Sequence, residues 1–213
     1  MTRIILIRHG ESEANKKNLF AGFSNFPLTE KGHKQAEIAA KYVANNYKID
    51  KIYASDLKRA YFTAFPLARL TENIIIPDEG LREIYAGEWE GKCFSDLPQL
   101  YSESFGVWTN DIGNARCPGG ESVKELGARI LAHVKELAEE NDGLTIALAT
   151  HATPIRSIQT FCEYGDVGEM QKTTWVPNAS VTELTYENGK FTLVKVGYAE
   201  HLKNLVTALP DDI

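Results

Sequence analysis

Cysteine is scarce in this chain, and what there is stands alone. Cys93, Cys117 and Cys162 are three separate thiols, an odd number without paired spacing. That argues against a disulfide framework and for a reducing compartment, so a cytoplasmic location is expected. No C-x-x-C or H-E-x-x-H pattern occurs, so neither a metal site nor a cofactor is expected. Long apolar runs are also missing. Stretches such as Ile74-Ile75-Ile76 fall far short of the ~20 residues that span a bilayer. Four apolar residues precede Arg8, too few for a signal-peptide core, and they read as a strand. An excess of positive charge is absent as well. Lys and Arg number 23 against 29 Asp and Glu, for a net charge of −6. Nucleic acid and anionic membrane are therefore not expected as partners, since a basic stripe is their usual footprint. A small anionic substrate stays compatible, because a few cations gathered in a cleft focus a local field. No repeat, low-complexity tract or linker interrupts the 213 residues, a length that suits one domain. Nothing in the pattern sets an oligomeric state.

What is present alternates. Residues 3–8 read as a buried strand. Thr29 is a candidate N-cap for a helix to Asn46. Residues 50–54 suggest a second strand, and Ser55 and Asp56 are candidate caps for a helix through Leu70. A third strand is expected at 73–77, then a loop over 81–92 and irregular chain with short helical potential over 95–117. Ser122 and Glu125 form a capping-box pattern. Behind it, Val123, Leu126, Ile130, Val134 and Leu137 recur at helical spacing through about residue 140. Residues 144–149 read as a strand, and Thr153-Pro154 as the start of a helix. Asn188-Gly189 between 181–187 and 191–197 is a hairpin signal. The alternation predicts a three-layer α/β domain. Its mostly parallel sheet is flanked by helices, with an antiparallel edge hairpin near the C-terminus.

Four segments carry chemistry. Arg8-His9-Gly10-Glu11 follows the first strand. An imidazole can accept a phosphoryl group when one nitrogen is free. An arginine fork matches phosphate oxygens, and Gly10 would let backbone N–H groups approach them. Arg59 falls in the first turn of a helix whose dipole favours an anion. His151 closes the strand 144–149 much as His9 closes the first, and parallel neighbours would bring the two to one crevice. Finally, the loop 81–91 holds Glu83, Glu88 and Glu90, any of which could protonate a leaving alkoxide. Spacing does not choose among them. Residues 20–26 and the segment between Gly91 and Pro118, with Phe20, Phe23, Phe26, Phe94, Tyr101, Phe105 and Trp108, are expected to frame the mouth of the pocket, some of these aromatics serving as core.

Seven motifs occur in order: R-H-G-E at 8–11, P-L-T-x-x-G at 27–32, S-D-L-x-R-A at 55–60, L-x-E-x-x-x-G-x-W-E-G at 81–91, P-G-G-E-S at 118–122, a strand ending in His151, and N-A-S-V at 178–181. Together they resemble the histidine phosphatase superfamily, the phosphoglycerate mutase-like fold, over nearly the whole chain. The resemblance implies one domain over 1–213 that hydrolyses a small phosphomonoester. His9 would become phosphohistidine. Arg8, Arg59 and His151 would line the phosphate pocket, Glu83 would donate the proton, and Asn15 would touch the phosphate. Ala21 and Gly22 would offer backbone along the pocket. Ala152 stands where the family often has glycine, and its methyl is expected to crowd that wall. Family mutases share a long cationic lid. Here residues 92–117 hold only Lys92 and Arg116 against Asp96, Glu103 and Asp111. That favours a phosphatase over the alternative, a phosphoglycerate mutase. A non-catalytic phosphoester-binding module is the third reading, and it would require missing catalytic groups.

Overall fold

The computed structural model describes residues 1–207. In chain order its strands and helices are β1 (Thr2–Arg8), α1 (Glu13–Lys16), α2 (Glu30–Asn46), β2 (Lys51–Ala54), α3 (Lys58–Thr71) and β3 (Ile75–Pro77), followed by α4 (Leu97–Leu100), α5 (Ser102–Asn110), α6 (Val123–Glu140), β4 (Thr145–Thr150), α7 (Ala152–Tyr164), β5 (Val181–Glu187) and β6 (Lys190–Tyr198). One six-stranded sheet has the order β3-β2-β4-β1-β5-β6. Its first four strands are parallel, and β5 and β6 add an antiparallel hairpin at the edge. Asn188 and Gly189 turn that hairpin with φ of 50° and 79°, the left-handed pair a two-residue turn requires.

The central strand explains the three layers. Ile4, Ile5, Leu6 and Ile7 are each at most 2% exposed, and burying each is worth roughly 1.5–3 kcal/mol. Successive side chains point to opposite faces. Ile4 and Leu6 join Ile130 and Val134 of α6 and Ile155 and Ile158 of α7. Ile5 and Ile7 join Ala40 and Val43 of α2 and Ala64 and Leu67 of α3. A third cluster, centred on Trp89, packs Phe20, Phe105, Trp108 and Met170 under the segment 92–117. No helix among the described residues is long and apolar enough to cross a membrane.

Two local expectations need correction. The short helical potential of 95–117 is realised as α4 and α5, so the segment is less irregular than expected, anchored by buried Leu97, Phe105 and Trp108. Ser55 and Asp56 do not cap α3, whose N-cap, Leu57, offers no side-chain hydrogen bond. Ser55 is drawn to His151 and Asp56 to Arg82, while Asn25 Oδ1 accepts the first N–H of α3, from Lys58, at 2.7 Å. The other caps are as expected. Thr29 accepts from Gly32 N–H, and Ser122 and Glu125 close the full capping box.

The P-L-T-x-x-G motif is a packing device. Thr29 Oγ1 accepts from Gly32 N–H at 3.0 Å and donates to the Glu11 carboxylate at 2.8 Å. A Cβ on Gly32 would stand 2.0 Å from Glu11 O, and one on Gly10 would stand 2.5 Å from Gly32 O. The backbone after His9 thus lies directly against the first turn of α2. Gly32→Ala is expected to destabilise the fold by about 1–3 kcal/mol, the usual cost of overpacking. Gly106→Ala, inside α5 with open space around it, is expected to stabilise by about 0.5–1 kcal/mol. Calorimetric midpoints of the two variants check this, and a neutral Gly32→Ala would refute the close approach.

Candidate active site

Parallel pairing of β1 with β4 sets Arg8 opposite Thr150, so the residues that follow, His9 and His151, leave the sheet side by side. Their ring centroids lie 5.2 Å apart at 61°. The backbone of His9 is held on several sides. Its N–H donates to Thr150 O at 3.0 Å, and its carbonyl accepts from Asn178 Nδ2 at 3.0 Å and Ala179 N at 3.2 Å. His9 Nδ1 lies 2.7 Å from Gly10 O. A carbonyl only accepts, so the proton sits on Nδ1 and leaves Nε2 with a free lone pair. His151 is fully buried, with Nε2 2.9 Å from Ser55 Oγ and Nδ1 unpartnered among the described residues.

Two guanidinium groups flank these rings. Arg8 donates from Nη1 to Val176 O. Arg59 donates to Ser24 O at 2.8 Å and Gly22 O at 2.7 Å. Each has five N–H donors, so most are left over. Neither has a carboxylate within 4.0 Å among the described residues, although Glu83 is close enough to act on both. Burial lowers each guanidinium to about 10. Burial, and then the charges of Arg59 and Arg8, push His9 well below the usual histidine value. His151 moves the same way, first from burial and then from Arg59. A net positive floor with neutral imidazoles is a receptor for an anion.

The structure separates the three loop carboxylates. Glu90 accepts from Phe23 N at 2.7 Å, Ser24 N at 2.8 Å, Ala86 N at 3.1 Å and the Ser24 hydroxyl. It holds the turn at 22–24, whose carbonyls hold Arg59. Gly22 has φ of 44°, and a Cβ there would meet the Glu90 carboxylate at 2.1 Å. Glu88 is exposed. Glu83 lines the cleft, 9% exposed, accepting from Ile84 N at 2.9 Å and Thr153 N at 3.4 Å. Arg129 of α6 supports it by donating to Glu83 O at 3.1 Å.

Arg8, His9, Asn15, Ala21, Gly22, Arg59, Glu83 and Ala152 line one cleft, and His151, fully buried, packs edge-on to His9 without lining the cleft. Gly10 does not serve as expected, since its N–H donates to Thr63 Oγ1 at 2.9 Å. Asn15 Oδ1 is spent on Ser12 and Asn178, which leaves its amide nitrogen for a ligand. Of the expected mouth residues, Phe20, Phe94 and Trp108 line the cleft, whereas Phe23 packs on Tyr85. Sequence reasoning missed Asn178 and Trp175. The N-A-S-V motif pointed at the first, while no local pattern marked the second.

The neutral histidines fix a pH dependence. His9 and His151 titrate in the fold well below about 6.5, the unfolded value. Above about pH 6.5 both states are neutral and the stabilisation is complete. Below it the unfolded chain takes up protons that the fold refuses, so stability falls with pH, by at most about 1.4 kcal/mol per unit per histidine. His133, raised by its bond to Asp78, opposes this, so the comparison must be with a variant. The ligand-free thermal midpoint should fall more steeply between pH 7.5 and 5.5 in the wild type than in a His9→Asn/His151→Asn double variant.

Comparison with known proteins places the whole chain. The family model of the histidine phosphatase superfamily (branch 1) matches residues 4–199. Phosphoserine phosphatase 1 of Hydrogenobacter thermophilus is 28% identical over 205 residues, 95% of each chain. The adenosylcobalamin/alpha-ribazole phosphatase of Salmonella typhimurium is 32% identical over 151 residues, 70% of this chain and 73% of that one. A phosphoserine phosphatase from Entamoeba histolytica, solved with 3-phosphoglyceric acid, superposes with a TM-score of 0.82 at 27% identity, covering 95% of this chain and all of that one. A six-stranded, mostly parallel sheet that delivers His9, with His151 packed edge-on to it, and two arginines without a carboxylate partner among the described residues to one cleft, matched by the family model over nearly its full length, makes this chain a member of the histidine phosphatase superfamily.

Proposed function

We propose that the protein hydrolyses a small phosphomonoester through a phosphohistidine on His9. The observation that carries this reading is the His9 ring. It is neutral, its Nδ1 proton is fixed on Gly10 O, and it sits between two buried guanidinium groups that lack a carboxylate partner among the described residues. The ester phosphate takes the free donors of Arg8 and Arg59, with His151 and the Asn15 amide nitrogen as further contacts. Nε2 of His9 forms the new N–P bond in line as the P–O bond to the leaving group breaks. Spreading the charge of the equatorial oxygens over fixed donors is the main catalytic task of phosphoryl transfer. Glu83 gives a proton to the leaving oxygen. As a carboxylate it then takes a proton from water, whose oxygen attacks phosphorus and breaks the N–P bond. Inorganic phosphate leaves, and His9 and Glu83 return to their first states. The relatives named as phosphatases support hydrolysis as the outcome. The name of one of them, phosphoserine phosphatase 1, is consistent with a small phosphorylated metabolite as substrate.

Hydrolysis is favoured over mutase chemistry by the shortage of cations. Among the described residues only Arg8 and Arg59 bring positive charge to the cleft wall, and Arg116 of the 92–117 segment is tied to Glu125. A doubly phosphorylated intermediate would bury an anion without a partner.

Rapid quench with labelled substrate should trap an acid-labile phosphoryl group that is absent in His9→Ala. Label persisting in that variant would refute the assignment. Glu83→Gln should slow a benzyl or alkyl ester by roughly 10²–10⁴-fold, with a much smaller loss on p-nitrophenyl phosphate, whose leaving group needs no proton. Equal losses on both would reduce Glu83 to a positioning group. Activity should survive EDTA, because the arginines supply the charge. Loss reversed by a single divalent ion would contradict that.

A further inference from the structure

We infer that the part of the substrate beyond its phosphate is an uncharged aromatic or apolar group, bedded against Trp175. The inference rests on the phosphomonoester reading above and adds a substrate class to it. Charge is the first argument. Both cationic residues of the cleft belong to its floor, and Glu83 is the single acidic residue in its wall among the described residues. A carboxylate on the leaving group would meet no further counter-charge among the described wall residues and would lie beside the carboxyl group of Glu83. Burying such an anion unpaired is strongly disfavoured.

The walls give the second argument. Leu19, Phe20, Phe94, Trp108 and Trp175 supply the apolar lining. These are not loose surface rings. Trp108 is 3% exposed and packs edge-on to Phe20 and Trp89, at centroid distances of 5.1 and 5.7 Å. Trp175 stacks on Trp108 at 6.3 Å and 26°, and keeps part of its own surface open.

The third argument is Arg156. This residue of α7 is 6% exposed and has no carboxylate within 4.0 Å among the described residues. Its Nη2 donates to Met170 O at 2.8 Å and Thr173 O at 2.7 Å, and its guanidinium carbon lies 4.4 Å from the Trp175 ring centroid. A buried cation is costly to keep. This one is spent on fixing the loop that carries Trp175 and on the indole itself, through a cation–π contact. Arg156 is thus a positioning residue for the mouth. A platform held in place before binding loses little side-chain entropy when a flat ligand lands on it.

The test compares esters of alcohols with comparable reactivity, so that leaving-group chemistry does not decide the order. Benzyl phosphate, phosphoserine and 3-phosphoglycerate are assayed with the full-length protein by phosphate release. Benzyl phosphate should lead in kcat/KM by at least about tenfold, an aromatic contact of ordinary strength. Trp175→Ala should cut the benzyl-to-phosphoserine ratio by about the same factor, chiefly through KM. Arg156→Lys should raise KM for benzyl phosphate more than for phosphoserine, while equal effects on both would make Arg156 a structural support only and remove it from the inference. Phosphoserine or 3-phosphoglycerate equalling or exceeding benzyl phosphate would overturn the inference and leave the hydrolase reading standing. Failure of every ester, p-nitrophenyl phosphate included, would sink the hydrolase reading. The order of binding, read as quenching of indole fluorescence by the same three esters, would then still decide whether the mouth prefers an apolar group.

Discussion

Two guanidinium groups, buried at the foot of a cleft and held, among the described residues, by backbone carbonyls in place of carboxylates, set the terms for everything around them. Positive charge out of water needs compensation, and carbonyl dipoles give only part of it. The remainder is left for a bound anion. Burial, reinforced by the same charges, keeps both imidazoles neutral, so an unprotonated nitrogen survives beside the proposed phosphate site. They also demand that the carbonyls stay put. For Arg59 that demand falls on the turn at 22–24, which Glu90 ties down through two backbone N–H groups and a serine hydroxyl. For Arg8 it falls on Val176, beside the loop that carries Trp175. Apolar burial in the sheet builds the frame, but this unfinished electrostatics gives the frame one preferred occupant.

Much of this was legible in the sequence, and the reasons differ by element. Ile4–Ile7 could only be a doubly buried strand. Ser122, Glu125 and the apolar positions behind them declared α6 with its cap. His9 and His151 were readable as a pair because each ends an apolar strand, and parallel register then makes them neighbours. Other features depend on contacts that no local pattern carries. Nothing nearby separates Glu83 from Glu90, because the difference lies in what each meets, the cleft in one case and the 22–24 turn in the other. The helices at 97–110 have weak periodicity and owe their form to packing around Trp89. Ser55 has the chemistry of a helix cap, yet His151, 96 positions away in sequence, claims its hydroxyl. Trp175 was invisible because its place depends on Arg156, a cation that composition alone would put on the surface.

The Gly10 and Gly32 contact recasts how one motif should be understood. P-L-T-x-x-G contains no group that touches the cleft wall, yet it sets the height of the chain immediately after the proposed nucleophile.

The Glu90 clasp has a consequence for how carboxylate variants in this loop are interpreted. Removing that side chain would free the 22–24 turn, let the Arg59 fork drift, and weaken the hold on every oxyanion, product included. The enzyme would turn over poorly and resemble one that had lost its acid. The two defects nonetheless differ in signature. A missing proton donor leaves affinity for inorganic phosphate intact and makes the rate depend on leaving-group basicity. A slackened clasp erodes product inhibition and slows all esters alike. Product inhibition by phosphate therefore reports on the geometry of the arginine floor independently of the chemistry performed above it.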